Sequence, residues 1–188
     1  NTGSSSIKYE LFDMEEKKGI VFGIAEKIGE GKGVLTHKKI FANGNILEKV
    51  IGKAIADHRE GLNCIVQLLM DQEYGAIKDQ SELSAVGHRV VHGGESFKET
   101  TLIDETVINA IKANIPLAPL HNPANLMGIE IAQLIFPRIP HVAVFDTSFH
   151  QTIPKEAFLY ALPLELYRKE KVRRYGFHGS SHSYVAEM

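Results

Sequence analysis

Between Ile7 and Phe41 the chain runs in three short stretches of alternating apolar and polar residues, "IKYELFD", "IVFGIAEKI" and "VLTHKKIF", divided by the polar turns "MEEKKG" and "GEGKG". A period of two places successive side chains on opposite faces of an extended strand, so such runs joined by short turns fold as consecutive hairpins. The second turn, Gly29-Glu30-Gly31-Lys32-Gly33, has the residue types of a nucleotide loop without its spacing, and no long helical pattern follows it at once. It reads as a hairpin turn.

The period then changes. In "ADHREGLNCIVQLLMDQEYGAI", Leu62, Ile65, Val66 and Leu69 recur at helical spacing behind Asp57, a residue suited to cap the helix. "LSAVGHRVVHGG" reads as a buried strand closed by glycines, and "DETVINAIKANI" as a second helix. The loop "PLAPLHNPAN" leads to a third helix, with Asn122 as its expected cap and Pro123 at its first position. "HVAVFDTSFH" is a further buried strand that ends near Asp146. A meander followed by alternating helices and strands implies a mixed α/β fold. Beyond Ser148 prolines break the pattern and a basic cluster appears, so residues 1–148 are expected to form one domain and 149–188 to begin another.

Composition removes several function classes. The 188 residues are 44% hydrophobic and 23% charged, with a formal net charge of −2, so no global basicity points to nucleic acid or an anionic membrane surface. No apolar run approaches the ~20 residues that span a bilayer, and no charged-then-apolar leader opens the chain. The single cysteine, Cys64, excludes a disulfide framework and reads as a small buried hydrophobe. A cytoplasmic protein is expected.

Chemistry concentrates in the second half, where all but two of the nine histidines lie at or beyond His88. In "GHRVVHGG", alternation puts Arg89 on the side of Gly87 and Val91, and His88 on the side of His92. A guanidinium in an apolar strand needs an anion. An internal carboxylate would serve; so would a ligand carboxylate or phosphate, with Val91 against its alkyl group and Gly93-Gly94 admitting it to the backbone. His88 and His92 lack further neighbouring ligands, which argues against zinc. Asp146, at a strand end, either faces a ligand crevice or begins a turn. "YGFHGSSH" reads as a site loop around His178 with an anion-binding helix start, or as a helix capped by Ser180 or Ser181. "G-x-S-x-G" is absent, which disfavours a serine hydrolase. The five cations from Arg168 to Arg174 read as a solvated helix face first and a phosphate-attracting wall second.

"NTGSSSIKY", "GHRVVHGG", "LHNPAN", "VAVFDTSFH" and "YGFHGSSH", in this order, resemble the amino-terminal half of the acetate kinase family across essentially the whole chain. The resemblance implies a ribonuclease-H-like α/β domain of the acetate and sugar kinase, heat-shock chaperone and actin superfold, followed by the start of a second such domain. It implies reversible phosphoryl transfer from ATP to acetate, giving acetyl phosphate and ADP, with Mg2+, in a cytoplasmic homodimer and with no nucleic-acid or membrane partner. It assigns Asp146 and His178 as catalytic residues, and Arg89, Val91, Leu120, His121 and Phe177 to substrate. Lys8 corresponds to a nucleotide position and Asn1 to one near the metal. A propionate or butyrate kinase of the same family is the alternative. The family's second arginine, a magnesium-associated glutamate and its adenine loops correspond to positions beyond residue 188, so the isolated chain is expected to be a non-catalytic fragment.

Overall fold

The computed structural model describes residues Asn1–Met188, which divide into two compact units. Unit 1 comprises Asn1–Val86 and Ala124–His141, and unit 2 comprises Gly87–Pro123 and Val142–Met188.

Unit 1 is built on an antiparallel sheet in the order β1 (Ser6–Asp13), β2 (Lys18–Glu26), β3 (Gly33–Ile40) and β4 (Ile46–Lys53). The hairpins form where the turn chemistry allows. Asp13 accepts from the amides of Glu15 and Glu16 at 2.9 and 3.1 Å, Lys17 adopts φ +53°, and Gly29 and Gly44 take φ +85° and +83°. "GEGKG" is the β2–β3 turn, as its spacing predicts. The fourth strand, "ILEKVIGK", extends the expected meander.

Helix α1 (His58–Leu69) starts where Asp57 accepts from the Glu60 amide at 2.8 Å, while the Glu60 carboxylate accepts from the Ala56 amide at 2.8 Å. Its apolar face closes over the sheet in a core of Ile7, Val21, Ala25, Leu35, Ile55, Ile65, Leu68 and Leu69. Cys64 is only half-buried and packs at the margin of this core, so its expected burial is partial. Most of helix α3 (Asn122–Ile135) also belongs to unit 1, where Ala132 and Phe136 pack with Val66. Asn125 donates to the Thr2 carbonyl at 2.9 Å, and Gly128 leaves room for the Thr2 side chain.

One polar group lies inside this core. His37 is fully buried, with Nδ1 2.6 Å from the Tyr9 hydroxyl and Nε2 3.0 Å from the Tyr74 carbonyl. A carbonyl only accepts, so Nε2 carries the proton and Nδ1 accepts from Tyr9. Burial lowers the His37 pKa and raises that of Tyr9, so both stay neutral.

Unit 2 contains nearly all of a second sheet, ordered β5 (Val86–Val90), β7 (His141–Phe145), β6 (Thr101–Leu102). Around it lie α2 (Glu105–Ala113), the short α4 (Lys155–Phe158) and α5 (Leu164–Glu170), and α6 (Gly179–Glu187). Asp104 caps α2 by accepting from the Val107 amide at 2.9 Å. Three expectations change here. Asn122 is the first residue of α3 rather than its cap, because its amide is fully buried and spent elsewhere. No serine caps α6; the residue before it is His178, at φ +53°, without a side-chain cap bond. The basic run is not one solvated face, because α5 ends at Lys171 in a left-handed conformation and Arg173 turns inward.

Replacing Tyr9 by Phe would strand the His37 lone pair inside the core, a loss of ~1–3 kcal/mol. Chemical unfolding of the Tyr9→Phe variant is expected to shift to lower denaturant by that amount; an unmoved midpoint would remove this bond from the account.

Candidate active site

Strands β5 and β7 end side by side, and the cluster forms just beyond them. The amide of Asp146 donates to the Val90 carbonyl at 2.9 Å, which extends the pairing by one residue and brings the Asp146 side chain level with Arg89. Arg89 Nε and Nη2 lie 2.9 and 2.6 Å from the two carboxylate oxygens of Asp146. This is the fork-to-fork geometry that a guanidinium favours. The Asp146 side chain is 3% exposed and that of Arg89 39%, so the carboxylate is held inside while one edge of its partner reaches solvent.

The same Nη2 lies 3.2 Å from His178 Nδ1. Arginine cannot accept a hydrogen bond, so Nδ1 presents its lone pair and the proton sits on Nε2. His178 is therefore a neutral ring with its Nε2–H unused by Arg89. On the far side of His178, the Gly179 amide donates to the Asp146 carbonyl at 2.9 Å. A Cβ at Gly179 would stand 2.5 Å from that oxygen, so only glycine permits the approach.

Next to the cluster lies a layer built around the buried His92 and Asn122. His92 is 1% exposed, its Nδ1 accepts from the Gly94 amide at 3.0 Å, and burial lowers its pKa to about 4. Its ring meets Tyr175 and Phe177 edge-on at 4.5 and 5.6 Å. Asn122 clamps the His92 backbone in both directions, accepting from its amide at 3.1 Å and donating to its carbonyl at 3.0 Å, and donates also to Ile111. Gly93 packs so closely on Phe145 that a Cβ would lie 2.6 Å from the ring. Thr147 accepts from the Gly93 amide at 3.2 Å.

Farther along, Glu95 receives Arg173 Nη1 at 2.6 Å and the Tyr167 hydroxyl at 3.0 Å. The Arg173 guanidinium lies 3.6 Å over the Phe158 ring. Burial, with the Glu95 charge second, pushes the Tyr175 hydroxyl up to about 12.

Of the residues implied by the sequence, the structure joins Arg89, Asp146 and His178 directly and sets Phe177 beside them in the chain and against His92. Val91 follows β5. Leu120 and His121 lie on the exposed turn before α3, outside the hydrogen-bonded cluster, and Leu120 is 81% exposed. Asn1 and Lys8 belong to unit 1, both exposed beside the start of β1, where the Lys8 amide donates to the Asn1 carbonyl at 2.9 Å. Among the supporting residues, Asn122 carried only the signal of a polar residue before a proline and Arg173 that of one cation inside a run, and Glu95 carried none.

No three His, Cys, Asp or Glu side chains gather as metal donors. A magnesium ion can be held through few protein groups and complete its octahedron with water and substrate phosphates.

This fold is that of an α/β protein of the acetate and sugar kinase, heat-shock chaperone and actin superfold. Its structure superposes on the crystal structure of Porphyromonas gingivalis acetate kinase with a TM-score of 0.91 at 44% identity, covering 100% of this chain and 46% of that one. A propionate kinase from Francisella tularensis follows with a TM-score of 0.87 at 39% identity, over 99% of this chain and 46% of that one. The chain belongs to the acetokinase family, whose model matches residues 1–188. Acetate kinase of Thermotoga maritima is 55% identical over 187 residues, and that of Clostridium kluyveri 49%. In both cases the match takes in 100% of this chain and 45% of the relative, so the chain spans about half the length of the relatives it matches.

The ion pair has a direct consequence for stability. Arg89→Ala leaves the Asp146 carboxylate buried without a counter-charge, at a cost of ~2–4 kcal/mol, trimmed by the partial exposure of the arginine. Adding Asp146→Asn to that variant should recover most of the loss in denaturant titrations. A double variant as unstable as the single one would show that the charge pair does not hold this site.

Proposed function

We propose that the full-length protein transfers a phosphoryl group reversibly between ATP and acetate, forming acetyl phosphate and ADP, and that His178, Arg89 and Asp146 form its acyl-side machinery. The observation that carries the reading is the shared guanidinium nitrogen: Arg89 Nη2 binds both Asp146 and His178, fixing a cation and a neutral N–H donor next to one another. The family membership and the acetate kinases among its relatives support it.

Phosphoryl transfer asks little covalent chemistry of a protein; donors placed around the equatorial oxygens supply most of the acceleration. Arg89 contributes positive charge and its Nη1 edge, which Asp146 does not occupy. His178 contributes Nε2–H. Both oxygens of Asp146 are engaged by Arg89, and acetate is already ionised at neutral pH, so the carboxylate acts by orienting the guanidinium rather than by removing a proton. Val91, Leu120 and Phe177 are assigned to the acyl methyl, and His121 to a second phosphoryl contact. In unit 1, Lys8 is assigned to the nucleotide and Asn1 to Mg2+, which supplies charge neutralisation on the phosphates when bound. Residues 149–188 are taken as the beginning of a second domain, and the longer protein as a cytoplasmic homodimer. No helix is long and apolar enough to cross a membrane.

The propionate kinase among the structural neighbours favours one alternative, a longer acyl substrate. One methylene changes discrimination by only ~1–3 kcal/mol in an apolar pocket. Relative kcat/KM for acetate, propionate and butyrate decides it, with acetate expected to lead.

His178→Ala in the full-length protein is expected to lower kcat by roughly 10²- to 10³-fold, the usual loss of one transition-state donor, with little change in KM for acetate or ATP. Steady-state kinetics in the acetyl phosphate-forming direction measure this. A variant impaired only through KM would contradict the role given to Nε2–H.

A further inference from the structure

We propose that His150 is a positioning residue for His178: it pins the peptide that enters His178 and so holds the ring against Arg89. The inference rests on the reading of His178 as phosphoryl donor. His178 is one of four non-glycine residues with positive φ, at +53°. A left-handed conformation is unfavourable for an L-residue and persists where neighbouring bonds determine it. The two peptide planes that meet at His178 are both tied. The plane after it donates through the Gly179 amide to the Asp146 carbonyl at 2.9 Å. The plane before it accepts through the Phe177 carbonyl, 3.0 Å from His150 Nε2. Together these bonds set φ and ψ of His178, and with them the direction of its side chain.

The donor is itself fixed. His150 sits on the short 3₁₀ turn Phe149–Thr152, one turn beyond Asp146, so the same strand end that places the carboxylate also places this ring. Its amide donates to the Thr147 carbonyl at 3.3 Å, and its carbonyl accepts from the Ile153 amide at 3.1 Å. Phe149 and His182 meet the ring edge-on at 5.3 and 5.2 Å. Its open side is filled by the backbone of Gly176, where any Cβ would overlap the imidazole. Glycine at 176 therefore admits His150, and His150 orients the turn two residues later. A carbonyl accepts only from a protonated nitrogen, so Nε2–H is present whether the ring is neutral or charged.

The plane after His178 is held further by its own carbonyl, which accepts from the Ser181 and His182 amides at 3.0 Å, whereas the plane before it relies on His150. Loosening a donor by about 1 Å can cost up to 10²-fold, so losing the His150 tie should cost roughly 10-fold. In the full-length protein, His150→Ala is expected to lower kcat about 10-fold with KM for acetate and ATP unchanged, and to shift the side-chain nitrogen resonances of His178. His150→Gln, whose amide reaches to the same depth as Nε2, should restore most of kcat. Gly176→Ala, which displaces the ring from the other side, should reproduce the His150→Ala loss. Unmoved His178 resonances in both His150→Ala and Gly176→Ala, or a glutamine variant as impaired as the alanine one, would overturn the proposal. If His178→Ala itself leaves kcat intact, the donor role fails, and the His178 resonances alone then decide whether His150 positions that ring.

Discussion

A carboxylate removed from water must be answered by a charge of opposite sign, and in this protein the demand of Asp146 organises the site. Arg89 answers it with two parallel bonds, which leaves the guanidinium no freedom to rotate about its own axis. From that fixed plane the tautomer of His178 follows. The Asp146 backbone is used as fully as its side chain: its amide binds Val90 at the end of β5, and its carbonyl receives Gly179 at the start of α6. One residue thus joins two strands and a helix within unit 2.

The adjoining layer explains how such a cluster keeps its geometry. Asn122 could have capped α3, and instead spends its amide on both backbone groups of His92 and on Ile111. His92 stays uncharged because burial lowers its pKa to about 4, so its ring packs on Tyr175 and Phe177 as an apolar wedge with one hydrogen-bonded edge. Glu95 and Arg173 tie the approach to "YGFHG" from outside the strand. Each buried polar group in this layer has its partner, as a preorganised electrostatic site requires.

The sequence exposed this arrangement unevenly, for physical reasons. Alternation revealed β1 to β3 because Ile7, Tyr9 and Leu11, or Leu35 and His37, fall on one face. It concealed β4, where the apolar residues come in adjacent pairs, Ile46-Leu47 and Val50-Ile51, a spacing closer to a helix than to a half-buried strand. The arginine in an apolar strand announced that an anion must meet it, and left open whether that anion was internal; the internal partner is Asp146, 57 positions on and just past the end of β7. His178 was legible through its glycine neighbours, but its left-handed backbone depends on Asp146 and His150, which alternation cannot reach. Arg173 was hidden among four other cations because only tertiary structure selects the one that turns inward.

The phosphoryl-donor role of His178 depends most directly on the protonation of its ring. Side-chain nitrogen chemical shifts of His178, recorded in the full-length protein at neutral pH, distinguish a bare ring nitrogen from a protonated one. The Arg89 contact predicts a neutral imidazole with bare Nδ1 and protonated Nε2. A proton on Nδ1 would mean that Arg89 does not hold the ring, and would contradict the arrangement from which the phosphoryl-donor role is derived.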